Sequence, residues 1–171
     1  FHTVTVRRTN GPALYRRTLS FISGEKVTMV LLDTPGGITL SRVSDMGCTN
    51  IPAGYGCLRV ANMSYSGSNY DVRTFNNQIV FGGVGFKEVT PFKQTAAGNY
   101  TFFVTASQAS LTGFAELPVI LLTAITGGCS ACMVNDPIMS FGISVRPGQV
   151  YTSYIIGNPW SNLYRVYTLE S

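Results

Sequence analysis

Few residues of this chain are of the types that enzymes use for catalysis. Its 171 residues include one histidine, His2, and eight acidic residues. His2 lies at the start of the chain, where a residue is poorly fixed, so we expect no catalytic triad or Cys–His pair. The carboxylates show no local spacing that predicts the facing acid pair of a glycoside hydrolase. The sequence therefore predicts a protein that is not an enzyme and binds no cofactor and no metal.

The four cysteines have the clearest chemistry. Cys48 and Cys57 flank a turn-rich segment, and Cys129 and Cys132 form a C-x-x-C pair in a Gly-rich loop. The wide spacing of the first pair disfavours zinc, and a redox pair would open a helix in a βαβ context. We predict two disulfides, with zinc and free thiols as weaker alternatives. The pairs are either Cys48–Cys57 with Cys129–Cys132, or a cross-pairing of Cys57 with Cys129 or Cys132, because a bond within C-x-x-C closes a strained ring.

A few other polar and aromatic residues are candidates for modification or contact. Asn62 and Asn99 begin Asn-x-Ser/Thr patterns, which accept N-linked glycans, although both positions also suit a structural asparagine. Trp160, in the turn 158–161, is the best candidate for a carbohydrate platform. Asp71 is interpreted as a structural acceptor for turn amides. The glycine-rich segment 82–85 is interpreted as a bend or bulge, because it lacks the Lys-Ser/Thr and the helix of a phosphate loop.

Charge and hydropathy disfavour two classes of partner. Only 12% of the residues are charged, and the net charge is +4. Four arginines lie in the first seventeen positions, but nucleic-acid binding would require more basic residues interleaved with aromatics. No apolar run is long enough to span a membrane. We therefore predict no nucleic-acid partner and no membrane span, and a low-charge surface that suits packing against copies of the chain or against a wall.

The stretch 59–104 carries the clearest structural signal. Its apolar residues fall in short alternating bursts, such as Tyr70–Phe75 and Tyr100–Val104, with turn formers such as Asn76–Asn77 and Gly82–Gly83 between them. Alternation with period two, interrupted by Asn, Gly and Pro, predicts an antiparallel meander. No stripe at helical spacing fits. The predicted fold is all-β, an immunoglobulin-like antiparallel β-sandwich with additional N-terminal strands.

Several short motifs resemble the 4397 family of domains of unknown function over residues 57–171. The motifs are Arg59–Ser64, Tyr70–Val72, Phe86–Phe92, Ala97–Tyr100 and Pro147–Thr152. Asn76–Asn77 replaces a hairpin glycine often found in that family, and the aromatic after Pro91 is Phe92. The resemblance implies a secreted or cell-surface β-sandwich module, often present in tandem, with no established common activity.

An internal match predicts how the chain is divided. Ser20–Pro35 aligns without a gap on Ser144–Pro159, with identical Ser, Gly, Thr and Pro at turn and strand positions. We therefore predict that residues 1–45 are the C-terminal half of a module, 46–56 a linker and 57–171 a complete module. The alternative is one larger sandwich. The predicted strands lie near 1–8, 14–22, 26–33 and 38–43 in the first part, and late in the second part at 117–123, 139–145, 150–156 and 163–169.

These patterns together predict an extracellular or cell-surface structural protein, secreted and processed by removal of a signal peptide. A partial module leaves open sheet edges, so we expect copies of the chain to exchange strands and form a filament, appendage or surface layer. The alternative is a carbohydrate-binding or adhesive module that binds cell-wall or surface polysaccharide. The candidate assembly residues are Phe1, Val4, Val6, Val27, Met29 and Leu31.

Overall fold

A computed structural model of the protein describes residues 1–66, 68–107, 137–157 and 163–171. These ranges contain strands and no helix, and the chain divides into two compact units, Phe1–Asn50 and Ile51–Glu170. The strands are β1 (His2–Arg7), β2 (Ala13–Leu19), β3 (Val27–Thr34), β4 (Gly37–Ser44), β5 (Tyr55–Asn62), β6 (Tyr70–Arg73), β7 (Ile79–Val84), β8 (Lys93–Ala96), β9 (Gly98–Ala106), β10 (Met139–Val145), β11 (Val150–Ile156) and β12 (Arg165–Glu170).

The unit Phe1–Asn50 consists of two antiparallel hairpins, β1–β2 and β3–β4. Asn10 takes a positive φ of 59° in the first turn, where asparagine tolerates the left-handed region. The second hairpin turns through Pro35 and Gly36, and its last pair is Thr34 with Gly37. The Thr34 hydroxyl donates to the Gly37 carbonyl at 2.8 Å and closes this turn.

The unit Ile51–Glu170 contains two four-stranded sheets. One has the strand order β10-β9-β6-β7 and is antiparallel throughout. The other has the order β12-β11-β5-β8. Buried apolar side chains from both sheets form one core, so this unit is a β-sandwich and the predicted all-β class is confirmed. The immunoglobulin-like topology stays a prediction. The core residues are Leu58, Val60, Tyr70, Val72, Phe81, Val84, Phe102, Val104, Ile143, Val145, Tyr151 and Ile155.

One strand pair departs from the predicted antiparallel arrangement. β5 and β11 run parallel, from the pair Cys57–Val150 to the pair Asn62–Ile155. Parallel neighbours cannot be joined by a tight turn, and these two strands are far apart in sequence. Parallel pairs are generally buried on both faces. Accordingly, every residue of β5 after Tyr55 is buried.

The strand limits predicted from the sequence agree with the structure for some of the strands. β10 and β11 occupy the residues predicted for them, 139–145 and 150–156. β5 begins at Tyr55, so it includes the last two residues of the predicted linker. The strand predicted at 117–123 lies outside the described residues. The half-module origin of residues 1–45 stays a prediction.

Removing a core ring should destabilise the sandwich, whereas removing an exposed ring should not. Phe102 is 2% exposed and stacks on Tyr100, with ring centroids 5.9 Å apart. Phe102→Ala should lower the free energy of unfolding by about 3–5 kcal/mol, through lost burial and a cavity. Phe75 is 90% exposed, and Phe75→Ala should change it by less than about 0.5 kcal/mol. Denaturant titration measures both, and equal losses would contradict this assignment of the core.

Candidate functional site

The described residues hold no group of three or more His, Cys, Asp and Glu side chains placed to bind a metal. His2 is exposed in β1, and its ring lies 5.8 Å from the ring of Phe21. The structure therefore brings no acid or thiol to this histidine within the described part of the chain. The remaining candidates are buried polar side chains and exposed strand surfaces.

Asp71 is a structural acceptor, as predicted. Its Oδ1 accepts a hydrogen bond from the backbone N–H of Gly83 at 2.8 Å. Gly83 has φ +65° and lies where the register between β6 and β7 is irregular. Such irregularity leaves a backbone amide without a strand partner. The carboxylate satisfies that amide and fixes the bulge.

The same carboxylate holds a buried cation. Arg73 donates from Nη2 to Asp71 Oδ2 at 2.9 Å and from Nε to Thr105 Oγ1 at 3.2 Å. Both charged residues are buried, at 3% exposed for Asp71 and 8% for Arg73. A buried charge is costly unless it is paired, so this cluster is a structural requirement of the sheet β10-β9-β6-β7.

Arg59 is a second buried cation, which the sequence reasoning did not identify. It lies in β5, donates from Nε to Thr152 Oγ1 at 2.9 Å, and stacks over the ring of Phe92 at 4.2 Å. The guanidinium plane suits such stacking. The one sequence signal is the position of Arg59 in a strand whose apolar residues lie on both faces, which indicates that the whole strand is buried.

Asn62 has the structural role that its position in the sequence also suits. Asn62 is fully buried, its Nδ2 donates to the Val84 carbonyl at 2.9 Å, and its Oδ1 accepts from the Ser64 N–H at 2.9 Å. The amide nitrogen that would carry the sugar is thus enclosed and hydrogen-bonded. The Asn-x-Ser pattern therefore serves a buried turn, and the side chain of Asn62 is not accessible to a glycan in this fold. Asn99 is exposed in β9, and its glycosylation stays a prediction.

One of the predicted disulfides is present. Cys48 and Cys57 are disulfide-bonded, which confirms the local pairing and excludes the cross-pairing of Cys57. The bond closes the short segment 49–56, and Cys57 is fully buried in β5. Cys129, Cys132 and Trp160 lie outside the described residues, so their predicted roles stay predictions.

The predicted assembly residues lie on the two hairpins of Phe1–Asn50. In β1, Val4 and Val6 are half-buried on one face, and Phe1 is 95% exposed. In β3, Met29 and Leu31 are 40% and 37% exposed. Each strand of these hairpins has a paired neighbour on one side only, within the part of the chain that the structure describes.

One face of the β3–β4 hairpin is largely apolar. Met29 and Leu31 alternate with Val30 and Leu32, and Leu31 pairs with Leu40 across the hairpin. Ile38 extends the same face and is exposed. Directly paired residues share one face of a sheet, so these side chains form one contiguous patch, which we call the β3–β4 face. Its apolar members are Val27, Met29, Leu31, Ile38 and Leu40, and Arg42 opposite Met29 and Asp33 opposite Ile38 lie on the same face.

Among the described strands, one edge of the sandwich lacks the features that usually prevent pairing with another chain. β8 has four residues and begins with Lys93, β12 has charged residues at both ends, and β7 has an irregular register with β6. These features block edge-to-edge pairing. β10 has seven residues in regular register with β9 and contains no charge and no proline. Among the described edges, β10 is the best suited to accept another strand.

Neither protein-family models nor curated proteins identify a relative. No protein-family model matches the chain, and no curated protein matches it significantly. The resemblance to the 4397 family of domains of unknown function therefore stays a prediction. Within the described residues, no helix is long and apolar enough to cross a membrane.

Removing Asp71 should strongly destabilise the sandwich. Asp71→Ala leaves the buried Arg73 guanidinium without its counterion and the Gly83 amide without its acceptor. We expect the free energy of unfolding to fall by about 3–5 kcal/mol.

Glu170→Ala is the matched control, because Glu170 pairs with Arg146 at 3.4 Å on the exposed surface. Its loss should not exceed about 1 kcal/mol. Chemical denaturation measures both variants in the same buffer. An Asp71→Ala protein as stable as the control would show that the buried pair is dispensable.

Proposed function

We propose that this protein is a non-enzymatic structural protein of the extracellular space, whose copies assemble by strand addition into a filament, appendage or surface layer. The observation that carries the proposal is the unit Phe1–Asn50, two hairpins whose outer edges pair with no described strand and which present the exposed β3–β4 face. An exposed apolar edge strand is a template for pairing with another chain. Strand addition turns that liability into a specific contact through backbone hydrogen bonds.

The contact joins unlike surfaces. The donor is β1 or β3 of one copy, both rich in alternating or continuous apolar residues. The acceptor is the β10 edge of the next copy. β10 contains no charged residue that would repel the incoming strand or lose its hydration on burial. Each new pair of strands would satisfy amides and carbonyls that a lone edge leaves to water.

Unlike donor and acceptor surfaces determine the form of the assembly. A head-to-tail contact generates a ring if its rotation closes and an open fibre if it does not. Every copy in such a fibre offers one donor and one acceptor, so growth continues at both ends. A filament or a surface layer built from filaments is the product that this geometry favours.

An extracellular location is consistent with the covalent and surface chemistry. The Cys48–Cys57 disulfide persists in oxidising compartments. The charged fraction of 12% is about half the usual share, and this suits a protein whose surface is covered by neighbours. The resemblance to secreted β-sandwich modules points to the same compartment.

Deleting the first hairpin should abolish assembly where β1 is the donor strand. A variant without residues 1–17 loses β1 and most of β2 but keeps every strand of the sandwich. We expect it to stay folded and to give no filaments in negative-stain electron microscopy. Sedimentation velocity should show a single small species over the concentration range in which the intact chain polymerises.

Point variants separate this effect from general damage to the chain. Met29→Lys combined with Leu31→Lys places charge on the β3–β4 face and should weaken assembly. Gln78→Lys, at an exposed position in the turn between β6 and β7 and at the opposite edge of the sheet from β10, should leave assembly unchanged. Filaments formed by the deletion variant would exclude β1 as the donor. Filaments formed by both the deletion variant and the Met29→Lys/Leu31→Lys variant, or an intact chain that stays monomeric at high concentration, would contradict the proposal.

A further inference from the structure

A groove lies on the outer face of the sheet β10-β9-β6-β7, beside the turn between β6 and β7. Phe75, Asn77, Phe103, Arg73 and Thr105 contribute to its lining, and its volume is about 330 Å³. This volume is at the lower end of the range for small-molecule sites, about 300–1,000 Å³. One sugar ring with its hydroxyl groups is of suitable size.

The sequence pattern placed Phe75 at the end of an alternating strand, but the strand stops at Arg73. Phe75 instead occupies a tight turn in which the Thr74 N–H donates to the Gln78 carbonyl at 2.9 Å. Its ring is 90% exposed, and its centroid lies 6.4 Å from that of Phe103. A large apolar ring held in water on a rigid turn offers a flat surface for the C–H face of a sugar.

The charge of the groove favours an uncharged ligand. Among the described residues of its lining the one cation is Arg73, whose guanidinium is already paired with the Asp71 carboxylate and bonded to Thr105. Arg73 also donates from Nη1 to Asn77 Oδ1 at 3.2 Å. An anionic group would therefore meet a cation whose charge is neutralised, and it would lose hydration without gaining an ion pair.

Asn77 supplies the polar end of the site. It is exposed at φ +64°, and its Oδ1 accepts the bond from Arg73. A carboxamide has two N–H donors in addition to its acceptor. With Oδ1 held by Arg73, Nδ2 is oriented as a donor at the rim of the groove, and hydroxyl oxygens are suitable acceptors.

We propose that this groove binds a neutral sugar unit of a polysaccharide, with Phe75 as the stacking platform and Asn77 as the hydrogen-bond donor. The site is separate from Trp160, the platform predicted from the sequence. It uses none of the assembly strands β1, β3 and β10, so it goes beyond the proposed structural role and does not depend on it.

The test is binding of the intact chain to immobilised polysaccharides at 0.15 M salt, with mannan, dextran and a β-1,3-glucan as neutral probes and alginate as the acidic probe. The net charge of +4 attracts any acidic polymer non-specifically. The readout is therefore the difference in binding between the intact chain and its Phe75→Ala variant. Phe75→Ala should weaken binding to at least one neutral polysaccharide about tenfold. Phe75→Trp should retain it.

Tyr167→Ala is the matched control, because Tyr167 is an exposed aromatic residue on β12 and should not affect binding. Asn77→Gly is a second variant, since glycine keeps the positive φ while removing the carboxamide, and it should also weaken binding. Neutral-polysaccharide binding that Phe75→Ala leaves unchanged would overturn the proposal. A Phe75-dependent signal on alginate alone, or no binding to any neutral probe, would also overturn it.

Discussion

Each backbone N–H and C=O group of a strand requires a hydrogen-bond partner, and the described strands of the two units meet this requirement to different extents. In the unit Ile51–Glu170, β5 and β11 lie inside a four-stranded sheet with neighbours on both sides and with their faces largely buried. In the unit Phe1–Asn50, the two hairpins give each strand only one described neighbour. An isolated hairpin is marginally stable in water, so these strands gain most from a further partner.

The interior of the sandwich shows how strictly the requirement is met. Where the β6–β7 register fails, Asp71 accepts from the Gly83 amide, and Arg73 neutralises the buried carboxylate. Where β5 ends, Asn62 bonds two backbone groups through its side chain. Against this background the regular, uncharged edge of β10 and the exposed β3–β4 face stand out. Their difference in chemistry gives the proposed contact the head-to-tail direction that a filament requires.

Sequence patterns predicted the parts of this fold that depend on local alternation. Period-two patterns predict the limits of β10 and β11. Turn-forming residues predict the turn at Asn76–Asn77, and short spacing predicts the Cys48–Cys57 pairing. The parallel neighbour of β5 could not be predicted, because an apolar pattern gives burial but not the direction of the adjacent strand. The same limit applies to Asn62, whose Asn-x-Ser pattern suits both a surface glycan acceptor and the buried structural asparagine that the fold contains. The groove depends on where β6 ends, a boundary that alternation from Tyr70 to Phe75 conceals.

The central claim is that open strands of Phe1–Asn50 pair with another copy, and amide hydrogen exchange tests it most directly. Exchange is followed by mass spectrometry on the intact chain at low and at high concentration. The account predicts that amides of β10, and of β1 or β3, become more protected as concentration rises, while those of β5 are protected at both concentrations. Unchanged exchange in β1, β3 and β10 while the protein assembles would contradict strand addition.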